Sequence, residues 1–174
     1  MERVKEYFKS LAEKHHLLKH REYEPHFAYL NDEMSMLLPA QMGYPFVLLS
    51  HSGWQVVGDD SRRSWNIILS VLDHVSDTGD ELEKNRAVAR CQRILDDLLA
   101  RATGFEAKVA TKWLRGIDLD DAQGMMIENE ADALYGWAVT FSISLPWCKT
   151  TDHTSWDDLD CPIESKIDEI INNV

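Results

Sequence analysis

The stretch that decides the fold is Thr78 to Gly104, TGDELEKNRAVARCQRILDDLLARATG. Its apolar side chains Leu82, Val88, Cys91, Ile94, Leu95, Leu98, Leu99 and Ala102 recur at the three-and-four spacing that lines one face of a helix. Glu83, Arg86, Arg90, Arg93, Asp97 and Arg101 take the other face. Thr78 followed by Glu81 reads as a capping box, in which a hydroxyl and a carboxylate satisfy backbone N–H groups that lack a helical partner. Asp80, Glu81 and Glu83 suit the positive end of the helix dipole and Arg101 the negative end. Gly104 then predicts a left-handed stop. A helix of this length needs a broad apolar surface to lie on, and the flanking sequence supplies candidates.

Upstream, Trp65 to Val75 places Trp65, Ile67, Leu69 and Val71 on one side and Ile68 and Leu72 on the other, which predicts an interior strand feeding the helix. Before it, Phe46–Leu49 and Trp54–Val57 read as a hairpin around His51-Ser52-Gly53, with Gly58-Asp59-Asp60-Ser61 as the next turn. Val4, Phe8, Leu11, Ala12, His15 and Leu18 predict an N-terminal helix ending near Lys19. Between them, Tyr23 to Gly43 is broken by Pro25 and Pro39 and reads as an irregular cover. Its Met34, Met36, Leu37, Leu38 and Met42 suit core filling first and an adaptable assembly surface second.

Downstream, Ala107 to Trp113 alternates Val109 and Thr111 with Lys108 and Lys112 and predicts a strand. Leu114 to Ala122 reads as an acidic loop, Gln123 to Glu128 as another strand, and Asn129 to Ala133 as a turn. In Tyr135 to Leu145, Trp137, Val139, Phe141, Ile143 and Leu145 alternate strictly with Ala138, Thr140, Ser142 and Ser144. That is a strand with one core face and one face of small polar side chains, ended by Pro146. The expected fold class is α+β: an antiparallel or mixed sheet, the long helix packed on one face, and an N-terminal helix. Residues 1–146 form one domain, and 147–174 an acidic extension in which Ile163, Ile167, Ile170 and Ile171 predict a short helix after Pro162.

The chain has 174 residues and a formal net charge of −12, from 18 Lys+Arg against 30 Asp+Glu. Nearly all the excess follows Ile117, where Lys149 and Lys166 are the only fixed cations. Such a distribution opposes a phosphate-binding footprint, so sequence-specific nucleic-acid binding is not expected. No apolar run approaches the roughly 20 residues of a membrane span. The charged N-terminus does not read as a signal peptide. Cys91, Cys148 and Cys161 are a sparse, odd set that fits a reducing, cytoplasmic compartment.

Candidate chemistry is thin. His15, His16 and His20 cluster at the end of the first helix, and His16 and His20 stand four apart, as two metal ligands do; no third ligand is visible, and the helix dipole alone favours histidines there. Asp118, Asp120 and Asp121 resemble a calcium loop, but the glycine and closing glutamate fall at the wrong spacing. Those aspartates with Cys148, Asp152 and His153 are the material of a metal-dependent hydrolase. Trp54, Trp65 and Trp137 are the material of a binding groove, although strand aromatics are more often core. No catalytic, cofactor or metal residue is assigned: nucleophile elbows, glycine-rich phosphate loops and cysteine pairs are all missing.

The strand Ser64 to Val75, the polar turn Ser76-Asp77-Thr78-Gly79, the helix from Asp80 and the late aromatic strand Tyr135 to Ile143 together resemble the tail-terminator or tail-completion (neck) proteins of long-tailed bacteriophages. The resemblance spans about Val4 to Pro146. It implies a non-enzymatic structural protein that forms a homo-oligomeric ring, a hexamer, at the head–tail junction. Its partners are then copies of itself, the tail tube and the head connector, first in the host cytoplasm and then in the virion. The family has no catalytic residues to carry over.

Overall fold

The computed structural model describes residues 1–18, 25–30, 42–57 and 62–146. His20, Met34, Met36, the Gly58–Ser61 turn and everything from Trp147 onward lie outside the described residues. The element order is α1 (Glu2–Lys14), β1 (Phe27–Leu30), β2 (Phe46–Val57), β3 (Arg62–His74), α2 (Glu81–Thr103), α3 (Phe105–Ala110), a 3-10 turn (Lys112–Gly116), β4 (Ile117–Asn129) and β5 (Leu134–Pro146). The five strands form one mixed sheet in the order β1-β2-β3-β5-β4, with β1 parallel to β2 and the other pairs antiparallel. The fold is α+β, with both long helices on one face.

The start of α2 differs from the expected box. Asp80, not Thr78, is the N-cap, and its Oδ1 accepts from the N–H groups of Leu82 at 2.8 Å and Glu83 at 3.2 Å. The Glu83 carboxylate reaches back to the N–H groups of Ser76 and Asp77. The physical logic of the box survives two residues later, because a carboxylate at the cap satisfies two orphan donors. At the other end Gly104 has φ −58° and ψ 148°, so it ends the helix in an extended rather than a left-handed conformation. It serves there as the junction between α2 and α3.

The core lies between the helices and one sheet face. Val4, Phe8 and Ala12 of α1 and Cys91, Ile94, Leu95, Leu98 and Ala102 of α2 cover Val47, Leu49, Ile67, Leu69, Val71, Val139, Phe141 and Ile143. Val88 and Leu99 are partly buried, Val88 beside Val75, Ala87 and Tyr135 at the opposite end of α2 from Gly104. Helix α1 stops at Lys14, short of Lys19, because His15 turns extended. Leu18 is buried even so, carried to the core by the turn that follows the helix.

Three expectations about strands and loops are corrected as well. The hairpin at His51-Ser52-Gly53 is instead one twelve-residue strand, β2, whose pairing with β3 shifts between His51 and Gly53. Gly53 has φ +145°, a bulge conformation that side chains rarely adopt. Before the bulge Leu49 opposes Leu69; after it Trp54 opposes Trp65, so the two halves present alternate side chains to the helices. The predicted strand at 107–113 is α3 and part of the 3-10 turn, which drops Leu114 into the core. The predicted acidic loop at 114–122 is the rest of that turn and the first half of β4. A fourth difference is an addition: β1 emerges from the irregular cover, held by Val47 N–H donating to His26 O at 2.8 Å.

The open face of the sheet is divided. Ala28, Phe46, Leu72 and Leu134 form a small apolar cluster with Met42, the described methionine of the cover and a core residue. Towards the other end this face carries Ser64, Asn66, Thr140 and Ser142, the hydroxyl side of β5 seen in the sequence.

Candidate functional site

The residues singled out for chemistry separate in space where they are described, while His20, Cys148, Asp152 and His153 lie outside the described residues. His15 Nε2 lies 3.2 Å from Asp97 Oδ2, and the Leu17 N–H donates to His15 Nδ1 at 3.3 Å. With Nδ1 accepting, Nε2 carries the proton and donates to Asp97, so this ring pins the end of α1 to α2. His16 stacks on His15 with centroids 5.3 Å apart. Asp118 Oδ1 accepts from the Asp120 N–H at 2.9 Å, a local turn within β4. Among the described residues no group of three or more His, Cys, Asp and Glu comes together as a metal site. Trp54 and Trp65 meet at 6.3 Å, with the Arg63 guanidinium 4.1 Å over the Trp54 ring. Trp137 pairs instead with Val71 and Met126, so the three tryptophans do not share one groove.

Two shallow clefts meet on the polar half of the open face. One, of about 350 Å³, is lined by Gln55, Ser64, Asn66 and Ser142 beside the Gly53 bulge. The other, of about 260 Å³, adds Asp118, Asp121, Gln123 and Thr140. Hydroxyls, amides and two carboxylates line them together with Trp54 and Phe141, with neither histidine nor cysteine among them. This surface suits hydrogen bonding more than proton transfer.

The feature with most consequence is β4. Among the described residues it is an edge strand, and its thirteen residues match β5 in length. Its pairing with β5 is interrupted between Asp118 and Gln123, where Asp120 and Asp121 protrude. Bulges and charges of this kind block strand addition. From Gln123 to Asn129 the ladder is regular again, and Gln123-Gly124-Met125-Met126-Ile127 carries no charge. Met125 is 60% exposed and Met126 50% exposed. They face opposite sides of the sheet, since Met125 opposes Ala138 and Met126 opposes Trp137. Glu128, Glu130 and Asp132 follow. Among the described residues, the acids after Ile117 therefore lie on one sheet edge and the turn that follows it, around an uncharged window. The exposed side of α2 carries Arg86, Arg90, Arg93 and Arg101.

Two groups under α2 have altered acidity. Burial pushes the Cys91 thiol up to about 12, with a smaller push from Asp73. Burial also raises Asp73, and the Arg90 guanidinium opposes it. Both belong to the packing of α2 on the sheet rather than to a cleft.

Compared with known protein families and with curated proteins, the chain matches none. Among the described residues no helix is long and apolar enough to cross a membrane.

Proposed function

We propose that this protein is a non-catalytic structural component that joins copies of itself head to tail through the β4 edge, as a ring of the tail-terminator kind at a phage head–tail junction. The observation that carries the proposal is the uncharged window 123–127 on an edge strand, with Met125 and Met126 exposed on its two sides. An open strand edge offers backbone N–H and C=O groups to another chain, and flanking acids set which chain is accepted. The opposite sheet edge is β1, so contact between the two edges is heterologous, and heterologous contacts close into rings when the rotation between copies allows. Acidic β4 and the arginines of α2 lie on different surfaces, which favours head-to-tail over self-complementary docking. An acid-lined ring also suits passage of DNA, because a repelled polyanion slides.

The test is genetic. Deleting the gene from its resident phage and imaging the particles is expected to show filled heads separate from tails, or tails of unregulated length. Normal infectious particles from the deletion would remove the proposal.

A further inference from the structure

At the Gly104 end of α2 the helices leave a groove of about 630 Å³, floored by Leu11, Ala100 and Ala107 and rimmed by Lys14, Arg101 and Phe105. Phe105 is 83% exposed and Val109, one turn later on α3, is 54% exposed. Two large apolar side chains on a six-residue helix are an unusual thing to leave in water. The rim is basic: besides Lys14 and Arg101, α3 carries Lys108, whose carbonyl accepts from Arg115 Nε at 3.2 Å. Asp97, which shares an adjoining cleft with Lys14 and Arg101, is engaged by His15.

The described chain ends in β5, against the 3-10 turn that leads out of α3. Strand β5 finishes at Pro146, and the 3-10 turn that follows α3 is pressed against it: a Cβ added at Gly116 would collide with the Ser144 carbonyl, and Arg62 Nη2 donates to that same oxygen at 3.1 Å. Beyond Pro146 come 28 residues with seven Asp and Glu against two lysines. Ile163, Ile167, Ile170 and Ile171 fall at helical spacing, flanked by Glu164, Asp168 and Glu169. The sixteen residues after Pro146, up to and including Pro162, reach as far as about 50 Å when extended, at roughly 3.3 Å each, so length does not limit the approach.

We infer that the acidic C-terminal segment, through the isoleucine stripe of 163–171, docks in the groove between α1, α2 and α3 of its own chain. Apolar side chains fill the floor and meet Phe105 and Val109, and the flanking carboxylates face Lys14, Arg101 and Lys108. This contact is independent of the ring reading, since it requires only one copy.

The test uses the full-length protein. Amide exchange at 105–111 is expected to quicken about tenfold when Ile163, Ile167 and Ile170 are all changed to Asp, because a covered helix loses its cover. Arg101→Glu is expected to do the same, and Arg93→Glu, farther along α2, to leave these amides unchanged. Zero-length carbodiimide coupling of the wild-type chain provides the second measurement, with Lys14 or Lys108 joined to a carboxylate between 157 and 169 within single chains. Equal exchange in the wild type and the triple variant would overturn the inference. Coupling found solely between chains would overturn it as well, by assigning the segment to a neighbour.

Discussion

Arg90 Nη1 stands 3.0 Å from Asp73 Oδ2 and ties the exposed side of α2 to the end of β3. The two partners are unequal. The Asp73 side chain is 6% exposed and that of Arg90 49%, so the carboxylate is desolvated while half of the cation remains in water. The His74 N–H also donates to Asp73 Oδ1 at 3.0 Å, yet burial outweighs both favourable contacts and raises the carboxyl above its ordinary value of 3.8.

A raised folded value means that the native protein holds a proton the unfolded chain has released. The contribution of Asp73 is fully present below about pH 3.8 and is lost as pH rises through its folded value. Asp73→Asn should flatten this part of the stability curve, measured by denaturant unfolding from pH 3 upward. Arg90→Ala should destabilise by about 1–3 kcal/mol at pH 7, discounted for the exposure of the guanidinium, and by less at acid pH where Asp73 is neutral. An Arg90→Ala effect that does not change with pH would show that the two residues are not coupled.

Cys91 is buried under α2, and its Sγ lies 3.7 Å from the Tyr135 carbonyl, to which it donates. With the thiol pushed up to about 12, roughly one molecule in ten thousand is thiolate at pH 8. Alkylation of Cys91, followed by peptide mass spectrometry, is expected to track unfolding rather than reagent concentration. Rapid labelling of the folded protein would contradict this environment.

Leu95 sits in the main core with 4% exposure, among side chains of α2 and the inner strands. Leu95→Ala should lower stability by about 2–5 kcal/mol in denaturant or thermal unfolding. Leu82, on the same helix but 58% exposed, is the control, and Leu82→Ala is expected to stay within about 0.5 kcal/mol.

Gly116→Ala tests the seam between the 3-10 turn and β5. The added methyl meets the Ser144 backbone rather than a movable side chain, so the turn itself must shift. A loss of about 1–3 kcal/mol is expected in thermal unfolding. A neutral outcome would mean that the seam is looser than the close approach indicates.

The elements that were legible in the sequence are those with long, uniform periodicity. Val139, Phe141 and Ile143 alternate without interruption, and Cys91, Ile94, Leu95 and Leu98 keep one helix face, so β5 and α2 follow from local pattern. Gly53 misled because a glycine between two apolar runs marks a turn or a bulge equally well, and only the pairing of Trp54 with Trp65 decides between them. Ala107 to Thr111 alternate over too few residues to oppose the tertiary pull that buries Leu114. Asp118, Asp120 and Asp121 suggested a loop because interior strands exclude such charge, whereas an edge strand accommodates it. The same topology explains the candidate interface. Acidity after Ile117 is visible in composition, but that Asp118, Asp120, Asp121 and Glu128 lie along one sheet edge, around Met125 and Met126, depends on which described strand is outermost.

The last prediction separates that edge from the rest of the surface. Lysine on an edge strand opposes strand addition, since pairing forces it against the partner's backbone without a counter-charge. Met125→Lys with Met126→Lys changes two exposed side chains, so stability should move by no more than about 0.5 kcal/mol per substitution. On the proposed ring function, a plasmid copy of the wild type should restore joined particles of regular tail length to the deletion. The Met125→Lys/Met126→Lys copy should not, although its thermal transition is unchanged. Leu82→Lys places a single lysine on a comparably exposed apolar residue at the start of α2 and should restore joining fully, whereas Met125→Lys alone, compared with it one charge for one, should be the more damaging. If the double lysine variant supports normal particles, β4 is not the contact. If Leu82→Lys fails as well, the defect reflects general loss of surface apolarity and the edge has no special role.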